Sequence, residues 1–246
     1  MKNVKVILWG LGAMGGGIGK MLTKKKGVDI VGAIDIGAKV GQSLYEVVPG
    51  IVKGDREDVI VGTPEEVIKP GVADIVVVCT NSFTKDVFDK LVFVMERGMN
   101  VITSAEEMAY PQAQEPELAK KLDEIAKKNG VSVMGTGINP GLIMDLLVVL
   151  WTAACEEVNH VTSRRVNSLS PFGPAVMEEQ GIGISVEEFN ERKANGTMAG
   201  HVGFAESTMM ICDALGWKWE DFGQDMEPIV TDVDRKSPYG FAAAGQ

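Results

Sequence analysis

Two adjacent carboxylates, Glu106 and Glu107 in "TSAEEM", stand directly behind the apolar run Asn100 to Thr103. At the edge of a cleft, such a pair can accept a proton, activate a water or hold an ammonium, and positioned acid–base groups typically contribute roughly 10²–10⁴-fold. The bland alternative is specific for one of them: Ser104 and Glu107 have capping-box spacing, in which the glutamate only satisfies a helix's first N–H groups. Glu106 has no such alternative except pointing to solvent.

A second chemical signature lies near the start. "LWGLGAMGGGIG", Leu8 to Gly19, packs six glycines behind an apolar run and contains Gly10-x-Gly12-x-x-Gly15, with Asp35 further on. In a strand–turn–helix setting that spacing is the dinucleotide-binding arrangement. Gly10 would make the tight turn, Gly12 would let backbone approach a pyrophosphate beside Ala13 and Met14, and Gly15 would let helix and strand pack closely. The phosphates would sit at the helix N-terminus, where unpaired N–H groups and the helix dipole favour negative charge. Asp35 would accept hydrogen bonds from the adenosine ribose hydroxyls and repel a 2′-phosphate. With no arginine in Ile36-Gly37-Ala38, NAD is the expected cofactor; Lys39 leaves NADP open.

These residues need a frame, and the apolar pattern supplies one. Val4 to Trp9 reads as a buried strand, followed by a helix to about Lys26 and a second strand from Val28 to Ile34. Asp58 to Val61 reads as a short third strand, and Thr63-Pro64-Glu65-Glu66 opens a helix with threonine at its cap and proline at its first position. "ADIVVVCT", Ala73 to Thr80, is wholly apolar, as in strands inside parallel sheets. A helix with Val87, Phe88, Leu91, Val94 and Met95 on one face follows, then a strand over Asn100 to Thr103. Next come a helix from Pro116 with Leu118, Leu122, Ile125 and Ala126 on one face, and a last strand over Val131 to Met134. Strands separated by amphipathic helices imply a parallel sheet covered on both faces.

Ligands bind beyond the carboxyl ends of such strands. Thr80, Asn81 and Ser82 are therefore candidates for flanking the cofactor, the alternative being helix capping by Ser82 or Thr84. "GTGINPG", Gly135 to Gly141, breaks regularity where the sheet ends and reads as a domain crossing or a rigid turn. Beyond it an apolar helix reaches roughly Ala154, and His160 to Val166 resembles a strand whose Arg164 and Arg165 are expected as surface-paired side chains. Asn167 to Gly183 reads as a long loop of the kind that forms lids or binding segments. Ser185 and Glu188 have capping-box spacing before a short helix ending near Gly196. His201 is isolated and expected to be structural, although histidine can act as acid or base. Met209, Met210 and Ile211 read as core on the helix after Phe204.

The chain has 246 residues, a formal net charge of −10, 45% hydrophobic and 24% charged residues. That is ordinary for a soluble protein with one large or two smaller domains, and its acidity disfavours nucleic acid and anionic membranes. Cys79, Cys155 and Cys212 are odd in number and far apart, so no disulfide framework or thiolate zinc site is expected; His160 and His201 do not suggest a metal site either. The start Met1-Lys2-Asn3-Val4 lacks signal-peptide regions, and the run Leu142 to Leu150 is interrupted by Asp145 and too short to span a bilayer. A cytoplasmic protein is expected.

Together, "VILWGLGAMG", "VGAID", "AEEM", "GTGINPG", "VNSLSPFGPAVM", "GHVGF" and "RKSPY" resemble the 2,4-diaminopentanoate dehydrogenase family of bacterial ornithine fermentation, related to native amine dehydrogenases and more distantly to dihydrodipicolinate reductase. The resemblance covers nearly the whole chain. It implies an α/β fold with an N-terminal Rossmann doubly wound parallel sheet over residues 1–138. A second α+β substrate and oligomerisation domain would span 139–246, incomplete at its C-terminus because members of the family continue further. It also implies oxidative deamination of 2,4-diaminopentanoate to 2-amino-4-oxopentanoate and ammonia with NAD or NADP, a catalytic glutamate within Glu106–Glu107, and a homodimer. Asn139, Asn167, Ser168 and His201 are the candidates for orienting the substrate. Two alternatives stay open: a dihydrodipicolinate reductase-like enzyme, whose expected adjacent histidines are absent, and a non-catalytic NAD-binding protein.

Overall fold

A computed structural model describes residues 2–170, 173–198 and 200–246. Met1 of the amino-terminal stretch and Pro171 and Phe172 of the long loop lie outside them. The chain forms two compact units, Met1–Val158 with Ala205–Trp219, and Asn159–Phe204 with Glu220–Gln246.

In the first unit the strands are β1 (Val4–Trp9), β2 (Val28–Ile34), β3 (Val61–Gly62), β4 (Ile75–Val78), β5 (Asn100–Thr103) and β6 (Val133–Gly135). They form one all-parallel sheet in the order β3-β2-β1-β4-β5-β6. The helices are α1 (Ala13–Leu22), α2 (Leu44–Val47), α3 (Pro64–Val67), α4 (Thr84–Met95), α5 (Pro116–Asn129) and α6 (Leu146–Thr152).

Alternate residues of a strand face opposite sides of its sheet. Val6 and Leu8 of β1 accordingly join one buried cluster with Ile30, Leu44 and Val48, while Ile7 and Trp9 join another with Val87, Leu91 and Val94 of α4. Burial on both faces is why β1 and β4 read as continuous apolar runs. The strand order reverses between β1 and β4, and there doubly wound sheets open a crevice beyond the strand ends.

Local signals set several boundaries. Thr63 caps α3 in a capping box with Glu66, and Gly130 ends α5 in the left-handed conformation at φ +64°. Three expectations need correction. Helix α1 stops at Leu22, short of Lys26, and residues 23–27 turn into β2. The third strand is Val61–Gly62, because Ile60 instead bridges antiparallel to Ser43. Residues 159–168 form no strand: Val166 is 99% exposed, and Arg164 and Arg165 are exposed without an ion pair among the described residues.

The second unit carries α7 (Pro174–Glu179), α8 (Val186–Ala194) and an antiparallel pair, β7 (Arg235–Lys236) with β8 (Phe241–Ala242). The expected loop over residues 167–183 therefore contains a helix, started by Pro174 at its first position. The Ser185 hydroxyl accepts the Glu188 N–H at 3.2 Å, but the Glu188 carboxylate bonds Arg192 at 2.6 Å, so only half of the expected box forms.

Helix α9 (Phe204–Leu215) belongs to the first unit from Ala205 onward. The units thus interleave along the chain, unlike the division expected at residue 138. The physical reason is a set of polar bonds: Ser207 Oγ donates to Asp145 at 2.9 Å and Gln114 donates to Glu206 at 2.7 Å. Of the three residues expected as core on this helix, Ile211 is buried, while Met209 and Met210 are half-buried.

Candidate active site

The candidate cofactor residues and the two glutamates lie at the carboxyl ends of four strands. After β1 the chain turns at Gly10, whose φ of +94° favours glycine and whose N–H donates to the Ile34 carbonyl at 2.8 Å. A Cβ on Gly15 would stand 1.8 Å from the Gly10 carbonyl oxygen, so α1 can leave the turn at this angle only without a side chain there. Gly12 is the N-cap of α1, and no heavy atom lies within 4 Å of where its Cβ would be. Helix geometry leaves the first-turn N–H groups of Ala13, Met14 and Gly15 without intrahelical acceptors. A bare backbone at a helix N-terminus beside the sheet's crevice fits a dinucleotide pyrophosphate.

Asp35 follows β2 and is already engaged. Its Oδ2 accepts the Leu11 N–H at 2.8 Å and the Lys39 ammonium at 2.7 Å, and its Oδ1 accepts its neighbour Ile36 at 2.7 Å. Burial raises its pKa, but the Lys39 hydrogen bond and the two backbone donors outweigh this and hold the carboxyl below its usual range. Lys39 also donates to the Leu11 carbonyl at 3.2 Å, which brings a cation next to the acid expected to hold the ribose.

Past β4, Thr80 and Asn81 are tied down by a residue that sequence reasoning missed. The Lys90 ammonium of α4 donates to Thr80 Oγ1 at 2.9 Å and to Asn81 Oδ1 at 2.6 Å. Burial lowers its pKa, with Asp86 acting in the opposite direction. A lysine among the polar residues of an amphipathic helix carries no signal of this role.

Beyond β5, the two glutamates separate. Glu107 is 7% exposed; its Oε2 accepts the backbone N–H of Thr84 at 2.7 Å, and its own N–H donates to the Ser82 carbonyl at 3.1 Å. The cap expected of Ser82 or Thr84 is thus supplied from another element, and the Ser104–Glu107 box does not form. Glu106 opens the 3₁₀ turn Glu106–Ala109 and is half-buried. That turn lies tight against β6, where a Cβ on Gly135 would fall 1.8 Å from the Met108 carbonyl oxygen.

Asn139 lies in the first unit with the glutamates, beside Gly141, whose N–H donates to Asp145 at 2.6 Å. Asn167, Ser168 and His201 lie in the second unit. There Asn167 lines a cavity of about 560 Å³, and Ser168 accepts the Ser170 N–H at 3.2 Å. His201 lines a different cavity of about 410 Å³, with its ring edge-on to Phe204 at 4.5 Å. Asn139 thus shares a unit with the glutamates, while the other three share the second unit, where Asn167 and His201 line different cavities.

Four further residues on or against the 106–114 segment were not legible in the sequence. Tyr110 donates its hydroxyl to Asp213 at 2.6 Å, and Gln114 donates to Glu206, a fully buried carboxyl. The only available signal was an acidic pair seven residues apart on a helix otherwise read for its apolar residues.

Residues 142–246 match the family model described as the 2,4-diaminopentanoate dehydrogenase C-terminal domain. The 2,4-diaminopentanoate dehydrogenase of Acetoanaerobium sticklandii is 66% identical over 246 residues, which is 100% of this chain and 69% of that protein. The solved structure of an amine dehydrogenase from Mycobacterium smegmatis is similar at a TM-score of 0.71 and 27% identity, covering 99% of this chain and 72% of that one.

Proposed function

The chain belongs to the 2,4-diaminopentanoate dehydrogenase family, and from that premise we propose that it catalyses the nicotinamide-dependent oxidative deamination of 2,4-diaminopentanoate to 2-amino-4-oxopentanoate and ammonia. The reverse direction is a reductive amination. The identity of 66% along the whole chain carries this reading.

The bound nicotinamide supplies one thing, an acceptor for the hydride that leaves C4 of the substrate. Everything else falls to side chains. The C4 ammonium must first lose a proton so that its nitrogen lone pair can form the imine as the hydride departs. Glu106 is the residue we assign to take that proton and release it to solvent, then to take a proton from the water that adds to the imine carbon and return it to the nitrogen, which leaves as ammonia. Glu107 is already committed to the N-terminus of α4, which favours Glu106 for the work. Asn139, Asn167, Ser168 and His201 are proposed to orient the second amine and the carboxylate of the substrate.

NAD is the proposed cofactor, with Asp35 as acceptor for the ribose hydroxyls and Gly10, Gly12, Ala13, Met14 and Gly15 at the pyrophosphate. Thr80, Asn81 and Ser82 flank the nicotinamide end. Lys39 beside Asp35 supports use of NADP as well, since its ammonium can turn from the carboxylate to a 2′-phosphate. A homodimer is proposed on the exposed Leu146, Leu150 and Trp151 of α6, apolar surface of the kind that oligomers bury. Among the described residues no helix is long and apolar enough to cross a membrane.

The reaction is tested by amine-dependent formation of reduced cofactor with each dinucleotide, and the dimer by sedimentation of the wild type against Trp151→Glu.

A further inference from the structure

Helix α9 places Glu206 and Asp213 seven residues apart, two helical turns, and hence on one face. That face meets the segment that begins with Glu106. Asp213 accepts the Tyr110 hydroxyl at 2.6 Å, and Glu206 Oε1 accepts the Gln114 amide at 2.7 Å. The same segment is tied at its other end by Glu107 to Thr84 of α4. Residues 106–114 are therefore held between two helices by three polar bonds, while Gly135 lets the backbone of Met108 lie directly on β6.

Glu206 is an unusual choice for such a bond. It is 0% exposed, it takes part in no ion pair among the described residues, and its Oε2 is buried without a hydrogen-bond partner. Among the described residues, the one charge recorded as acting on it is the negative charge of Glu107. Glu107 stands on the 106–109 turn and Gln114 beyond it, Asp213 on α9 is occupied by Tyr110, and Asp145 is occupied by Ser207, Gly141 and Leu146. An unpaired buried carboxylate is costly enough that the group neutralises instead.

We infer that Glu206 is a positioning residue that works as an uncharged carboxylic acid: with Asp213 on the same face of α9 it clamps the 106–114 segment and fixes where Glu106 stands. Burial pushes the Glu206 carboxyl above its usual range; the Gln114 bond and the residue's own backbone N–H oppose this, and the negative charge of Glu107 adds to it. Gln114 needs only an acceptor oxygen, which the protonated acid retains at Oε1. The inference builds on the assignment of Glu106 as the reacting carboxylate, but the clamp itself is a property of the fold.

The test uses the full chain as wild type, Glu206→Gln, Glu206→Ala and Tyr110→Phe. Amide hydrogen exchange over residues 106–114, infrared absorption of protonated carboxyl groups, and kcat with the binding constant for NADH would be measured. The expected result is that Glu206→Gln removes a carboxylic-acid band at neutral pH, keeps exchange slow and retains most of the turnover. Glu206→Ala speeds exchange and lowers kcat by about tenfold or more, because ångström-scale misplacement of a catalytic group is that costly, while NADH affinity stays unchanged. Tyr110→Phe loosens the same segment from the second contact, and it carries the test should Glu206→Ala fail to fold. Equal damage from Gln and Ala would show that a charged carboxylate is required and overturn the inference, as would unchanged exchange in both Glu206→Ala and Tyr110→Phe. Exchange and infrared absorption need no turnover, so absence of the proposed reaction would be seen separately from failure of the clamp.

Discussion

The Glu107 carboxylate stands 2.7 Å from the backbone nitrogen of Thr84, so a side chain from the turn after β5 completes the N-terminus of the helix after β4. One of two adjacent glutamates is thereby spent on structure. Removing it strands a buried donor, which costs about 1–3 kcal/mol. Glu107→Ala is expected to lose that much in denaturant unfolding, whereas Glu106→Gln is expected to stay within about 0.5 kcal/mol of wild type, as surface-like substitutions do.

The contact between Gly15 and the Gly10 carbonyl gives a second expectation. A methyl group at Gly15 would sit 1.8 Å from that oxygen, against backbone that cannot swing aside. Gly15→Ala must displace α1 from β1 and with it the pyrophosphate turn. Loss of NADH binding by fluorescence titration, with a stability loss of about 1–3 kcal/mol from overpacking, is the expected outcome; wild-type affinity would mean that the turn is not the cofactor's seat.

Lys39 and Asp35 form a pair whose two members have opposite preferences at the ribose. Lys39→Ala is expected to weaken NADPH binding by about tenfold or more, in line with a charge-assisted hydrogen bond of roughly 1.5–3 kcal/mol, and to leave NADH binding nearly unchanged. The folded pKa of Asp35 lies below its ordinary value, so its contribution is present above the ordinary carboxylate pKa and is lost only as pH falls through the lower, folded one. NADH affinity should accordingly hold through mildly acidic pH and fall below the ordinary carboxylate range.

Much of this was legible beforehand because it is local. Strand alternation, the Gly10-x-Gly12-x-x-Gly15 spacing, the Thr63 cap and the stop at Gly130 each depend on residues near one another in the chain, and each stands in the structure as read. The fate of Glu107 depends on Thr84, twenty-three residues away, and that of Gln114 on Glu206, ninety-two away. No spacing rule reaches those partners. A capping box was the reasonable local reading of Ser104 and Glu107, and it failed because a better donor arrived from another helix. The stretch 159–168 misled for the opposite reason: its β-branched residues favour a strand, but β propensity decides little without a neighbouring strand to pair with.

The three cysteines should differ in reactivity. Burial pushes the Cys79 thiol up, only partly offset by its Ser104 hydrogen bond, and burial with the charge of Asp213 does the same for Cys212. Cys155 is exposed. Since the thiolate is the reactive form, a thiol reagent near neutral pH is expected to label Cys155 first and Cys79 last, as read by mass spectrometry of the folded chain.

The most direct measurement is the rise in absorbance of reduced cofactor with 2,4-diaminopentanoate, for wild type, Glu106→Gln and Glu107→Gln, each shown to be folded and to bind NADH. Amine-dependent turnover is expected in the wild type, with a fall of about 10²–10⁴-fold in kcat for Glu106→Gln and a smaller loss for Glu107→Gln that tracks its stability. Turnover that survives in Glu106→Gln but vanishes in a folded Glu107→Gln would contradict the division of labour between the two glutamates. No amine-dependent reduction in the wild type would contradict the proposed reaction.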